Sequence, residues 1–218
     1  VPDLRDHPYR APFRVTPLPR RVDLRKSMPP VYDQGTLGSC TANAIGAAYQ
    51  FNVLKQGGMD FLPSRLFIYY EERVLIDLVN EDSGAYIRDG FKVINKKGSC
   101  REKLWPYAIK KFRDKPSPVC YTEGLLHQSI EYMRLTQTLG QLRGCLAAGY
   151  PFVFGFAVYE SFESDAVATT GKVPMPNVKK ESMLGGHAVM AVGYDRCKRR
   201  IIVRNSWGTD WGEKGYFS

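Results

Sequence analysis

Apolar residues along this chain recur at two different spacings, and the change from one to the other divides it. From Ser39 onward, Ile45, Ala48, Tyr49 and Asn52 keep a helical step until Gly57-Gly58 ends the run, so Cys40 is expected in the first turn of a helix. A second helix is predicted after Pro63 with Ser64 as its cap, because Phe67, Tyr70, Val74 and Leu78 share one face. A third covers Ile87 to Lys97 and is closed by Gly98. The stretch from Ser99 to about Thr122 contains prolines and reads as irregular. Beyond it, Thr138 and Gln141 form a capping-box pattern ahead of Leu142 and Leu146, and Gly149 and Pro151 stop that helix.

From Phe152 the period shortens. Phe152 to Tyr159, His187 to Tyr194 and Ile201 to Arg204 are short β-branched and aromatic runs separated by turn residues, the pattern of strands. Helices first and strands second predict an α+β architecture: a helical lobe at about residues 39–150 packed against an antiparallel lobe at about 151–218. Residues 1–18 carry Pro2, Pro8, Pro12 and Pro17, which forbid a regular helix, so they read as an extended arm preceding the globular part.

Composition narrows the class. A chain of 218 residues with 44% apolar and 12% aromatic content supplies the core of one large domain or two closely packed lobes. The net charge of +9 invites a nucleic-acid reading, but the charge is dispersed. Arg20-Arg21, Lys96-Lys97, Lys110-Lys111 and Lys179-Lys180 are pairs, Lys198-Arg199-Arg200 is a triple, and none makes a basic stripe interleaved with aromatics. An anionic ligand on this dispersed basic surface stays a secondary expectation. No run approaches the roughly 20 apolar residues of a membrane span. The chain opens at Val1 and stops at Ser218, so both ends are expected to be trimmed, leaving room for a removed secretory leader. The expected location is exported (periplasmic, secreted or vacuolar-type), with the cytoplasm left open.

Five cysteines leave at least one thiol unpaired. Cys40 is expected to stay free, Cys100 and Cys120 are placed to close a loop around Trp105-Pro106-Tyr107, Cys145 reads as core, and Cys197 as an exposed turn residue. At a helix N-terminus, Cys40 would meet unpaired backbone amides and the positive end of the helix dipole, which favour the thiolate. His187, expected to open a strand after two glycines, supplies a base if the lobes face each other. The Asn205 side-chain carbonyl can accept from one imidazole nitrogen, fix the tautomer and present the other nitrogen to Cys40, while Trp207 covers that bond from water. Gln34, six residues before Cys40, can set its amide beside the Cys40 backbone N–H to hold the negative oxygen of a tetrahedral intermediate. No metal or organic cofactor is called for. His7 and His127, the other histidines, lack cysteine or carboxylate neighbours at zinc-site spacing.

Taken in order, Gln34-Gly35-Thr36-Leu37-Gly38-Ser39-Cys40, Gly185-Gly186-His187-Ala188-Val189 and Asn205-Ser206-Trp207-Gly208 resemble a papain-family cysteine peptidase of a prokaryotic or divergent kind. His187 follows Cys40 by 147 residues and Asn205 by 165, against the family's usual 130 to 150. The likeness begins at Pro19-Arg20-Arg21-Val22-Asp23-Leu24-Arg25, which resembles the family's mature start. It implies a papain-like fold, a helical lobe against an antiparallel sheet or barrel-like lobe with the cleft between. It also implies Cys40 as nucleophile, His187 as acid and base, Asn205 as orienter and Gln34 as oxyanion donor. By the same resemblance Ser83, Gly84 and Ala85 hold an extended substrate backbone at the cleft rim, and Gly186 and Trp207 join them as substrate-binding residues.

Departures from the family pattern are informative. Leu37 stands where a disulfide cysteine is usual, no cysteine precedes Gly84, Thr41 replaces the aromatic after the nucleophile, and Gly186 stands where Asp or Asn is common. Residues 160–184 form a long connection that by position lies near the cleft, either as a solvated loop or as a substrate-selecting one. The arm of residues 1–18 precedes the family's mature start and reads either as a regulatory or pro-segment lying over the cleft or as a disordered tail. The expected function is hydrolysis of peptide bonds in peptide or protein substrates through a covalent acyl-enzyme. Peptidyl transfer on the same triad and a non-catalytic binding protein of the same fold are the alternatives.

Overall fold

The computed structural model describes residues 7–10, 17–129 and 131–218. Its central element is helix α1, Cys40–Lys55, buried along almost its whole length. Small residues make that possible. Ala47 and Ala48 lie against Met190 and Val192 of the sheet, while Ala42 and Ile45 lie against Leu66, Tyr69 and Ile94 of the helical side. A helix buried on opposite faces belongs in the middle of a fold, and α1 is the layer that both lobes share.

Helix α2, Arg65–Val74, starts where Ser64 caps it, the side chain accepting from the Phe67 N–H. It ends at Val74, so Leu78 lies beyond the helix whose face it was expected to continue. Helix α3, Ile87–Lys96, is followed by Gly98 at a φ of 67°, a left-handed stop that suits glycine. Two short helices were not anticipated: α4, Pro118–Gly124, inside the stretch read as irregular, and α6, Asp165–Thr170, inside the 160–184 connection. Helix α5, Leu139–Ala147, begins at Thr138, whose side chain accepts from the Gln141 N–H.

The sheet is built on one long strand. β5, Met183–Asp195, pairs antiparallel with β2, Arg21–Asp23, with β4, Phe152–Tyr159, and with β6, Arg200–Arg204; β6 in turn pairs with β7, Tyr216–Phe217. Of the two forms expected for this lobe, an antiparallel sheet or a barrel-like one, the described strands form the open sheet, with no closed barrel among them. Because β5 begins at Met183, His187 sits inside the strand rather than at its opening, paired with Phe156 of β4. Alternation along β5 then divides its side chains. Met190 and Val192 face α1, whereas Val189 packs with Val203, Phe217 and Phe162, and Ala191 with Leu146 of α5.

Part of the amino-terminal arm is in place. Pro8–Tyr9 forms β1, parallel to β3, Arg134–Leu135, and the Arg134 N–H donates to the His7 carbonyl at 2.8 Å. All five cysteines are free thiols; Cys100 and Cys120 are buried together beneath Phe67, Cys145 is buried, and Cys197 is exposed.

Candidate active site

Cys40 is the first residue of α1, half-buried, and His187 lies on β5. Both line one open groove of about 810 Å³. Gln34, Ser83, Gly84, Ala85, Gly186 and Trp207 line the same groove, so it holds every residue singled out in the sequence except Asn205, which lies behind His187. Gly38, Tyr86, Ile87 and Met183 add to its walls.

The imidazole is fixed from behind. His187 Nε2 lies 2.7 Å from Asn205 Oδ1, and that same oxygen accepts from the Ser206 backbone N–H at 2.9 Å. An atom that accepts from a backbone amide is the carbonyl oxygen, so Nε2 must be the protonated ring nitrogen and Nδ1 keeps its lone pair. Asn205 Nδ2 is buried without a partner among the described residues, the cost of aiming the carbonyl at the ring. Trp207 stacks on the imidazole with centroids 4.9 Å apart, and Phe156 meets it edge-on at 6.0 Å. Phe162, from the 160–184 connection, packs edge-on against Trp207 at 5.6 Å. That connection therefore contributes both to the cover over His187, through Phe162, and to the groove wall, through Met183.

Gln34 is locked by three bonds. Its Nε2 donates to the Leu37 carbonyl at 2.9 Å, its Oε1 accepts from the Ser206 hydroxyl at 2.6 Å, and its backbone N–H donates to the Ser206 carbonyl at 2.8 Å. A bridge between Asp33 and Trp207 continues this pairing. The chain segments carrying Gln34 and Asn205 are thus one unit. Tyr107 supports it from the other side, donating to the Gln34 carbonyl at 2.9 Å and touching the Ser39 hydroxyl at 2.5 Å.

Burial pushes the Cys40 thiol up, against hydrogen bonding from the backbone of Ala188, Thr41 and Cys40 itself. Burial likewise pushes His187 down, against its bond to Asn205. Burial thus disfavours the charged form of each group.

Ser206, Tyr107 and Glu72 are residues around the site that sequence reasoning missed, because their contacts there are with partners distant along the chain. Glu72 is fully buried beneath the start of α1, accepting from the Thr41 hydroxyl at 2.7 Å, and its other oxygen has no partner among the described residues. Burial pushes its carboxyl up to about 8, helped by Asp89 and opposed by the Thr41 bond and Arg73.

The family model for papain family cysteine proteases matches residues 18–218. The chain belongs to the papain family of cysteine proteases. It is 49% identical over 195 residues to an uncharacterized peptidase C1-like protein of Acanthamoeba polyphaga mimivirus, covering 85% of this chain and 62% of that one. It is 28% identical to chymopapain of Carica papaya, over 98% of this chain and 57% of that one. The chain therefore spans roughly three fifths of the length of these curated relatives. Among solved structures it is similar to xylellain, a cysteine protease from Xylella fastidiosa, with a TM-score of 0.92 and 44% identity over 100% of this chain and 85% of that one. A procathepsin B from Trypanosoma congolense shares the fold at a TM-score of 0.77 and 20% identity, over 98% of this chain and 76% of that one. Among the described residues of this papain-family chain, no helix is long and apolar enough to cross a membrane.

Proposed function

We propose that the chain hydrolyses peptide bonds, with Cys40 as nucleophile, His187 as acid and base, Asn205 as the orienter of the ring and Gln34 as oxyanion donor. The observation that carries this reading is the His187 Nε2 to Asn205 Oδ1 contact of 2.7 Å, because it leaves Nδ1 as the basic nitrogen on a ring that lines the groove with the Cys40 thiol. Nδ1 takes the thiol proton, the sulfur attacks the peptide carbonyl, and the imidazolium then protonates the leaving amine. Water activated by the same ring hydrolyses the acyl-enzyme. A primary amide has two N–H donors, and with one on Leu37 the second Gln34 N–H can meet the oxyanion beside the Cys40 backbone amide.

Ser83, Gly84 and Ala85 form the rim along which an extended peptide lies, with Gly186 and Trp207 lining the same groove. The substrate class is a peptide or protein. The arm of residues 1–18 is a regulatory segment that limits access to the groove; its support is its proline-rich character and the pairing of Pro8–Tyr9 with β3. Residues 1–6 and 11–16 lie outside the described residues.

Active-site titration with a peptidyl epoxide, followed by peptide mapping, tests the reading. The label is expected on Cys40 alone, and Cys40→Ala and His187→Ala are expected to fold and to lose peptide cleavage. Cleavage that persists in either purified variant removes the assignment.

A further inference from the structure

Two segments that line the groove, one at Gly38 and one at Ser83-Gly84-Ala85, meet through a carboxylate that the catalytic assignment does not use. Asp82 directly precedes the rim Ser83-Gly84-Ala85, and both of its oxygens lie 3.0 Å from the Gly38 backbone N–H, which belongs to the loop leading into Cys40. The Tyr69 hydroxyl donates to Oδ1 of the same carboxylate and accepts from the Gly84 backbone N–H at 3.2 Å. One side chain thereby holds the nucleophile loop directly and the rim through a single tyrosine.

The fit is tight. A Cβ on Gly38 would lie 2.9 Å from Asp82 Oδ1, closer than a side chain can sit without a shift, whereas one on Gly84 would meet the Gly38 carbonyl oxygen at an ordinary 3.9 Å, so glycine is favoured there by its φ of 68°. The carboxylate is itself presented by a fixed backbone. Arg73, fully buried on α2, donates from Nη1 to the carbonyls of Val79 at 2.6 Å and Glu81 at 3.1 Å, and its charge interacts favourably with Asp82. Hydrogen bonds to an ionised acceptor are roughly twice as strong as neutral ones, so a carboxylate is suited to joining segments far apart in sequence.

We propose that Asp82 is a positioning residue that sets the spacing between the Cys40 loop and the peptide-binding rim. Its loss impairs recognition of an extended peptide before it impairs the reactivity of the thiol. The inference rests on the peptidase reading for the meaning of the rim, and its geometry stands apart from the chemistry at Cys40.

Two reagents separate recognition from reactivity. A peptidyl epoxide must lie along the rim to reach Cys40, whereas iodoacetamide needs only the thiol. For Asp82→Ala, the epoxide labelling rate is expected to fall about tenfold or more while the iodoacetamide rate stays within about twofold, the scale on which small misplacements cost rate. Tyr69→Phe removes only the arm to Gly84 and is expected to slow the epoxide about threefold with iodoacetamide unchanged, so the comparison still decides the matter if Asp82→Ala fails to fold. Both reagents slowing in proportion, or neither changing, overturns the proposal. Hydrogen exchange at the Gly38 and Gly84 amides reads the clamp without any chemistry at the sulfur. Faster exchange at both in Asp82→Ala, and at Gly84 alone in Tyr69→Phe, is expected; unchanged exchange in both variants overturns it. Failure of the wild-type protein to take the epoxide or cleave a peptide would instead strike the peptidase reading, and the exchange result would still decide the clamp.

Discussion

At the scale of single residues, the site depends on acceptors that leave no choice to their donors. Asn205 Oδ1 takes the Ser206 amide and so must be oxygen, which settles the His187 tautomer; Gln34 is held at both ends of its amide, with one N–H left for the groove. Gln34→Ala is expected to lower kcat about 10²-fold, with much less change in KM and little change in Cys40 alkylation, because an oxyanion donor acts on the transition state. Steady-state kinetics per titrated site check this. Glu72 is a second residue-scale case. Its carboxyl titrates at 4.5 by reference and at about 8 in the folded protein, so between these values the native state holds a proton that the unfolded chain has released. Its contribution to stability is therefore full below the lower value and lost as pH rises through the upper one. Glu72→Gln keeps the shape without the ionisation, and its stability relative to wild type is expected to rise between about pH 5 and about pH 9, as measured by urea unfolding across that range. Cys40, His187, Asn205 and Gln34, of which the first, second and fourth line one groove, were legible as candidates because of their residue types and order. Glu72, Tyr107 and Ser206 were not, since what matters about them is a partner distant in sequence.

At the scale of elements, punctuation was legible and length was not. Ser64 and Thr138 cap α2 and α5 as their side chains predict, and Gly98 closes α3. Helix α4 escaped notice because Pro118, read as a breaker, occupies the first turn, where a missing N–H costs nothing. The strand β5 extends back to Met183 because Tyr159 pairs with Met183 and Val158 with Gly185 across the hairpin, a long-range pairing that the glycines at 185 and 186 conceal. Gly90 shows how closely the helices meet. An added Cβ there would lie 2.2 Å from Glu72 Oε1 and 2.3 Å from Ile45 Cδ1. Gly90→Ala gains helix propensity of about 1 kcal/mol, yet overpacking of this kind typically costs about 1–3 kcal/mol, so a net loss is expected in thermal or urea unfolding.

At the scale of the whole molecule, α1 is the shared layer: its start carries the thiol into the groove, its flanks bury both lobes, and β5 brings the imidazole to the same groove. The arm belongs to this scale. Deleting residues 1–18 is expected to raise the rate of Cys40 labelling by the peptidyl epoxide severalfold; an unchanged rate would count against a covering role. The sequence by itself determined the class of fold, the helix that would present Cys40, and the candidate site residues, because periodicity, caps and an ordered set of cysteine, histidine and asparagine are local or ordinal signals. Only the tertiary structure decided which ring nitrogen of His187 faces Asn205, that the described strands form an open sheet, and that Glu72 lies beneath the start of α1 while Asp82 joins the Gly38 loop to the rim. Those facts arise from contacts between segments distant along the chain, where burial and hydrogen-bond geometry, rather than neighbouring residues, set the outcome.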